Sequence, residues 1–230
     1  MVPSKITTKP IVVKSLREQV YEYLKAELKR GALDTGAFLD LNKLARELGV
    51  SRTPLRDALI QLEVEEFVTI APRRGVAVRS LDPKDIQEIY QLVGALEGAA
   101  LLAVAPSITD ADLAHLRELD QRSQRAIDAG DKDGFYETNY AFHDFFLDRL
   151  GNQRITALVH AKKQQLYDWN RKFERLHVSW ENSGVHEHEE VLRLLEAGEA
   201  AAAAAYLRDV HWGFNVQEAF VQQVYFTEQG

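Results

Sequence analysis

Seven histidines occur in the chain, all of them after residue 114, and there is no cysteine. Asn139 and His143 stand four apart in a stretch whose apolar residues include Tyr136, Tyr140, Phe142, Phe146 and Leu147. Helical spacing puts both side chains on one face. His188 precedes Val191, Leu192 and Leu195 near the start of a later apolar stretch, and His211 is in helical register with Leu207 and Phe214. Three imidazoles and an amide oxygen from three helices can converge in a bundle core. Such a donor set suits a divalent metal, Zn²⁺ first and Ni²⁺ or Mn²⁺ as alternatives, with positions left for water or a ligand. The bland alternative is that His143 and His211 are hydrogen-bonded core residues and His188 ends a helix. His186, two residues from His188, points to a different face. His115, His160 and His177 sit among polar neighbours and read as surface residues. Trp169, Trp180 and Trp212 read either as core residues or as the walls of a pocket.

A second set of residues is basic. Arg52 and Arg56 are four apart with Thr53 beside them, just after Ser51, which can cap a helix. Two guanidinium groups on one ridge near a helix N-terminus can bond guanine edges or phosphates in a major groove. Arg73 and Arg74 precede Gly75 at an expected hairpin tip, where they would touch a nucleic-acid backbone or minor groove. Two exposed arginines on a short helix are also what an ordinary solvated surface looks like. Charge separates the two halves: residues 1–81 carry 14 Lys and Arg against 10 Asp and Glu, whereas 82–230 carry 14 against 25, within a total of −7. A basic head on an acidic body suggests that the head meets a polyanion.

The elements that position these residues follow from patterning. The 230 residues suit one large domain or two modest ones, and 46% hydrophobic content is enough for real cores. Residues 1–13 show no period and read as a flexible arm. Ser15 and Glu18 form a capping-box pattern for a first helix lined by Leu16, Val20, Leu24 and Leu28 and stopped by Gly31. A loop over 32–40 is expected, then a short helix with Leu41, Leu44, Ala45 and Leu48, and a third with Pro54 in its first turn and Leu55, Ala58, Leu59 and Leu62 facing inward. Strands are expected at 67–70 and 76–79. The boundary falls at Leu81-Asp82-Pro83, with Asp82 as cap and Pro83 at the first helical position. Beyond it only helices are expected: 83 to before Pro106, then from the Thr109–Asp112 cap to Gly130, about 131–150, from about 153 past Trp169, about 184–197, and a last one to about 225. The fold class is mainly α, a winged helix-turn-helix over 14–81 followed by an all-α bundle over 82–230. Whether 171–182 is helix or loop decides between six and seven body helices. Without cysteine, disulfide scaffolds and thiolate zinc fingers are excluded. No apolar run is read as reaching the roughly 20 residues of a membrane span, and the start lacks the apolar core of a signal peptide.

The run LNKLARELGVSRTPLRDALIQLEVEEFV followed by APRRGVAV resembles the DNA-binding domain of GntR-family transcriptional regulators over some 65 residues. The resemblance implies operator contacts by Ser51, Arg52, Thr53 and Arg56, with Gly75 as the wing glycine and Arg73 and Arg74 at the wing tip. Glu66 departs from the family, which usually has glycine there. The body resembles the FCD ligand-binding domain of the FadR-type branch through IYQLVGALEGAALLAVA, NYAFHDFFLDRLGN and EHEEVLRLLEAGEAAAAAAYLRDVH. By that resemblance Asn139, His143, His188 and His211 bind the metal. Asn139 replaces the usual Asp, which removes a negative charge. Val93 stands where many members carry an arginine that grips an effector carboxylate; Arg149, Arg154 and Glu97 are the other effector-binding candidates, Glu97 being either a pocket group or a buried anchor.

The resemblance implies a cytoplasmic, nucleoid-associated repressor with no membrane partner. It would bind a pseudo-palindromic operator as a homodimer and respond to a small metabolite, an organic acid near the metal. One alternative is a metal-dependent hydrolase built on the bundle, although no well-placed general base is found. The other is an architectural DNA-binding dimer with a vestigial pocket.

Overall fold

The structure, a computed structural model, describes residues 14–30, 32–33, 36–170 and 178–226. Contacts divide the chain into two compact units between Ser80 and Leu81. The 1–13 arm, Gly31 and residues 171–177, with His177, lie outside the described residues, as does the side chain of Trp169.

The first unit contains α1 (Leu16–Lys29), β1 (Phe38–Leu39), α2 (Leu41–Glu47), α3 (Arg52–Val64), β2 (Val68–Ala71) and β3 (Gly75–Val78). The expected capping box opens α1: the Glu18 N–H donates to Ser15 Oγ at 3.2 Å and the Ser15 N–H to Glu18 Oε2 at 2.7 Å. Val20, Leu24 and Leu28 then pack on Leu55, Ala58, Leu59 and Leu62 of α3 and on Val68, Val76 and Val78 of the sheet. Leu16 lies at the helix start and stays half exposed, contrary to expectation. The expected 32–40 loop contains β1, which pairs antiparallel with β3 through Phe38↔Ala77 and Leu39↔Val76, giving the order β1-β3-β2. Two residues carry no alternation that a pattern could reveal; the free edge of β3 specifies this strand. The hairpin strands are each displaced one residue toward the tip, because Ala71 pairs with Gly75 and leaves Pro72, Arg73 and Arg74 to make the turn.

The departure at Glu66 has a visible cause and consequence. Glu66 adopts a φ of +62° directly after α3. The Phe67 N–H reaches Leu62 O at 2.9 Å and the Glu66 N–H reaches Glu63 O at 2.9 Å, the two bonds of a Schellman stop, whose left-handed position favours glycine. A non-glycine residue costs about 1–2 kcal/mol there, offset by an ion pair from Glu66 to Arg79 at 3.2 Å that is worth roughly 0–1 kcal/mol at this exposure. Glu66→Gly is therefore expected to stabilise the first unit by about 1 kcal/mol, read as a higher denaturant midpoint at unchanged slope. A lower midpoint would mean that the ion pair outweighs the strain.

The second unit contains seven α-helices among the described residues: α4 (Pro83–Val104), α5 (Asp110–Ala129), α6 (Lys132–Leu150), α7 (Gln153–Asn170), α8 (Val178–Glu196), α9 (Ala200–Tyr206) and α10 (Phe214–Phe226). A 3-10 turn, Ala105–Ser107, follows α4. Asp82 and Thr109 cap α4 and α5 as expected, each in a capping box. Two expectations are corrected. Helix α8 begins by Val178 rather than near Gly184, so His188 lies at mid-helix. The last helix is broken: α9 passes into a π-helical turn, Leu207–His211, before Trp212 and Gly213 interrupt the run. The widened turn, closed by Trp212 N–H to Leu207 O at 3.0 Å, brings the adjacent His211 and Trp212 both inward, a device common at functional sites.

Helix α4 is the central strut, with Ile86, Val93, Ala100 and Leu101 fully buried against its neighbours. With the turn that follows, Pro83–Ser107 is 25 residues long, and an 18-residue window of it has a mean hydropathy of 1.5, so it is long and apolar enough to span a membrane by length and composition alone. Half of that window is buried inside the unit, which makes it a core helix. Gly94 permits its closest approach: a Cβ there would lie 2.7 Å from Trp212 Cβ and 3.0 Å from Arg208 O. That contact seats the π-turn on α4.

Candidate functional site

In the first unit, burial of Leu55, Ala58, Leu59 and Leu62 turns the opposite ridge of α3 outward. Ser51, Arg52, Thr53 and Arg56 are all exposed, as are Arg73, Arg74 and Gly75. Ser51 occupies the cap position of α3 but its side chain makes no capping bond, so the expected cap role is not taken up and the hydroxyl stays at the surface. Arg52 donates to Asn42 Oδ1 at 2.6 Å, a contact from α2 that sequence reasoning missed. Arg52, Thr53, Arg56, Arg73 and Gly75 line one open groove between α3 and the hairpin. Arg73 holds the left-handed conformation at the tip (φ +64°), and the Arg74 guanidinium lies 5.8 Å from the centre of the Phe38 ring.

In the second unit, His143 from α6, His188 from α8 and His211 from the π-turn converge, one nitrogen of each lying within 4.8 Å of the others. His143 and His188 are buried and His211 is half-buried. Each ring turns its Nδ1 to a carboxylate: His143 to Glu97 at 2.6 Å, His188 to Asp120 at 2.9 Å and His211 to Glu187 at 2.8 Å. Phe142 stacks on His188 at 3.9 Å and 7° and fixes that ring. Burial drives His143 and His188 well below the ordinary histidine value, which keeps both imidazoles neutral. The Nε2 atoms of His143 and His188 lie 3.3 Å apart, and neutral rings whose Nδ1 carries the proton would offer these nitrogens as lone pairs. Converging lone pairs backed by carboxylates are the donor chemistry of a borderline divalent cation, and the residues fit one. Burial pushes Asp120 up to about 8, a shift that a cation held by His188 would oppose.

Glu97 is the anchor of this cluster rather than a cavity residue. It accepts from Lys163 Nζ at 3.1 Å and from Trp212 Nε1 at 2.7 Å while facing His143. Burial alone would raise its carboxyl, but the Lys163 ammonium and the hydrogen bond from Trp212 oppose this, and the carboxyl is held below the ordinary carboxylate range. Asn139, buried one turn before His143, donates to Tyr167 Oη at 3.0 Å.

A cavity of about 60 Å³ opens beside His211 and is lined by Asn139, Glu181, Glu187, Gln217 and six aromatic residues, Trp180 and Trp212 among them. Neither Glu97 nor Arg149 is among its lining residues. Arg149 instead ties α6 to the 3-10 turn through Ser107 O at 2.6 Å and to Asp112 at 2.9 Å. Arg154 is exposed at the start of α7, and Val93 is fully buried. His186 and His115 are exposed as expected, whereas His160 is half-buried and bonded to Asp144 at 2.7 Å. Asp120, Lys163 and Gln217 went unread, yet two of them had a signal: Asp120 shares the helical stripe of Leu113 and Leu116, and Lys163 that of Val159 and Leu166.

Residues 16–78 match the family model described as bacterial regulatory proteins, gntR family, and residues 88–210 match that of the FCD domain. The HTH-type transcriptional regulator McbR of Escherichia coli (strain K12) is 35% identical over 128 residues, 56% of this chain and 58% of that protein. The gluconate operon transcriptional repressor of Bacillus licheniformis is 27% identical over 135 residues, 59% of this chain and 55% of that protein. The match thus spans less than two thirds of either relative. Among solved structures, Escherichia coli McbR/YncC superposes with a TM-score of 0.62 at 24% identity, over 92% of this chain and all of that one. A putative GntR regulator from Rhodococcus sp. RHA1 gives 0.64 at 22%, over 91% and 97%. At these identities the structural likeness establishes the fold.

Proposed function

The chain belongs to the gntR family of bacterial regulatory proteins and carries an FCD domain, and from that premise we propose that it is a DNA-binding transcriptional regulator governed by a small molecule. The observation that carries this reading is the outward ridge of α3. Arg52, Thr53 and Arg56 stand exposed above a fully formed core and share a groove with the hairpin arginine Arg73. Ser51, Arg52, Thr53 and Arg56 contact the operator's major groove, and Arg73, Arg74 and Gly75 its backbone or minor groove. The protein acts as a homodimer on a pseudo-palindromic site, as a repressor, in the cytoplasm where the chromosome is. A relative named as an operon repressor supports that sign of control.

His143, His188 and His211, with Asn139, would hold a divalent metal, Zn²⁺ before Ni²⁺ or Mn²⁺. A bound ion would supply a Lewis-acidic coordination position beside the cavity. The carboxylates at Nδ1 orient the three rings, and Lys163 keeps Glu97 charged. The cavity takes the effector, whose binding must favour one arrangement of the DNA-binding units over another to alter operator affinity. The expected organic acid draws no support from a cationic clamp, since no lysine or arginine among the described residues lines the cavity. A hydrolase has no comparable support: the relatives are named as transcriptional regulators.

Two measurements test the reading. Genomic fragments captured by the full chain are expected to share an inverted repeat; recovery without any common sequence would overturn it. Elemental analysis is expected to find stoichiometric metal that falls sharply in His143→Ala and His188→Ala. Wild-type protein without metal, whose melting temperature does not respond to added Zn²⁺, would remove the metal centre and leave the DNA-binding reading standing.

A further inference from the structure

The hairpin tip gives its two arginines different surroundings. Arg73 lines the groove shared with α3, and the residues lining that groove do not include Arg74. The Arg74 guanidinium lies instead over the ring of Phe38 on β1, 5.8 Å from its centre. Phe38 is 53% exposed, while Leu39, which follows it, packs on the core of the first unit. Alternation along the strand thus turns Phe38 to the outer face of the sheet. The residues paired around it there are small: Phe38 pairs with Ala77, Ala77 with Thr69, and Gly75 with Ala71. A Cβ on Gly75 would stand 3.8 Å from Phe38 Cδ1, so the ring lies along the tip, beside the residue that follows Arg74.

A large apolar side chain left exposed beside small ones gains little from burial. Its ring face does attract a guanidinium within about 6 Å. The attraction acts on the charge and leaves the N–H donors in the guanidinium plane for a phosphate. A long side chain already held near its working position loses less freedom on binding than a free one. We infer that Phe38 is a positioning residue for Arg74. Its ring holds the guanidinium ready for a backbone phosphate beside the groove, which makes β1 part of the nucleic-acid interface. The inference rests on the DNA-binding reading and adds to it a residue with neither charge nor hydrogen-bonding group in its side chain.

The test is a double-variant cycle on the full chain. Binding is titrated by anisotropy against a duplex of about 30 base pairs and mixed sequence, at about 50 mM salt, where phosphate contacts dominate. Phe38→Leu keeps an apolar side chain and removes the ring face. It is expected to weaken binding roughly 2- to 5-fold, the size of an exposed cation–π contact, and to have no further effect once Arg74 is replaced by alanine. Phe38→Tyr keeps the ring and is expected to bind as the wild type does. A second readout needs no DNA and holds even if Phe38→Leu lowers the melting temperature. The Arg74 Nε–H resonance, identified by its absence in Arg74→Ala, is expected to be shifted upfield by the ring in the wild type and in Phe38→Tyr, and to lose that shift in Phe38→Leu. An equal loss of binding with and without Arg74 overturns the inference, as does a loss in Phe38→Tyr as large as in Phe38→Leu. An Arg74 resonance that is the same in the wild type and Phe38→Leu also overturns it. In each of these cases wild-type binding leaves the DNA-binding reading standing. A wild-type chain that binds the duplex at no salt concentration overturns that reading and the inference with it.

Discussion

Glu97→Ala is expected to lower the melting temperature of the helical unit by roughly 6–20 °C, the largest single effect in this protein. Lys163 is fully buried, and Glu97 is its anionic partner at 3.1 Å. Removing one member of a buried pair leaves an uncompensated charge and costs about 3–5 kcal/mol. In a unit of this size each kcal/mol moves the midpoint by about 2–4 °C. The rings of Tyr140 and Trp212, 5.1 and 5.5 Å from Lys163 Nζ, soften the loss without supplying an anion. Trp212 Nε1 and His143 Nδ1 lose their carboxylate at the same time. The companion variant Glu97→Ala/Lys163→Met separates these contributions, because it removes the stranded charge. It is expected to recover most of the melting temperature but not the metal, for which loss of a carboxylate behind a ligand costs about 10–100-fold in affinity. A single variant that melts within a degree or two of wild type would refute the ion pair as a determinant of the core.

The balance between what patterning revealed and what it concealed follows from the range of each interaction. Capping boxes at Ser15 and Thr109, the Asp82-Pro83 start and the inward row Leu55, Ala58, Leu59 and Leu62 are local, so the sequence states them directly. The three histidines could be brought together on paper because each lies near an apolar helical stripe. Their carboxylate partners could not, since Glu97, Asp120 and Glu187 come from three different helices and only packing makes them neighbours. The two-residue β1 exists through the edge of β3, and the π-turn exists because Gly94 lets α4 approach Trp212. Neither has a local signature. Glu66 was legible in the opposite sense: a residue at odds with its family marked the position where the backbone adopts a positive φ.

Arg52→Ala and Arg56→Ala are each expected to weaken operator binding by about 1–3 kcal/mol, roughly 5- to 150-fold, while the fold survives. Both side chains are exposed, and the residues that hold α3 in place lie on its other face. The form of the loss distinguishes two kinds of contact. An arginine that bonds a guanine edge loses discrimination at one base pair when removed. One that bonds phosphate loses affinity uniformly and lowers the salt slope by about one. Arg56, exposed one turn after Arg52 on α3, is expected to behave in the first way. Arg52, oriented by Asn42 at 2.6 Å, should lose a smaller part of its contribution in Asn42→Ala, where the guanidinium remains but its rotamer is freed. Arg73→Ala and Arg74→Ala at the hairpin tip are expected to change the salt slope more than the sequence preference. Anisotropy titrations at several salt concentrations, on the captured inverted repeat and on base-substituted copies, read all of these together. Wild-type affinity in the Arg52→Ala/Arg56→Ala double variant would show that α3 does not enter the groove.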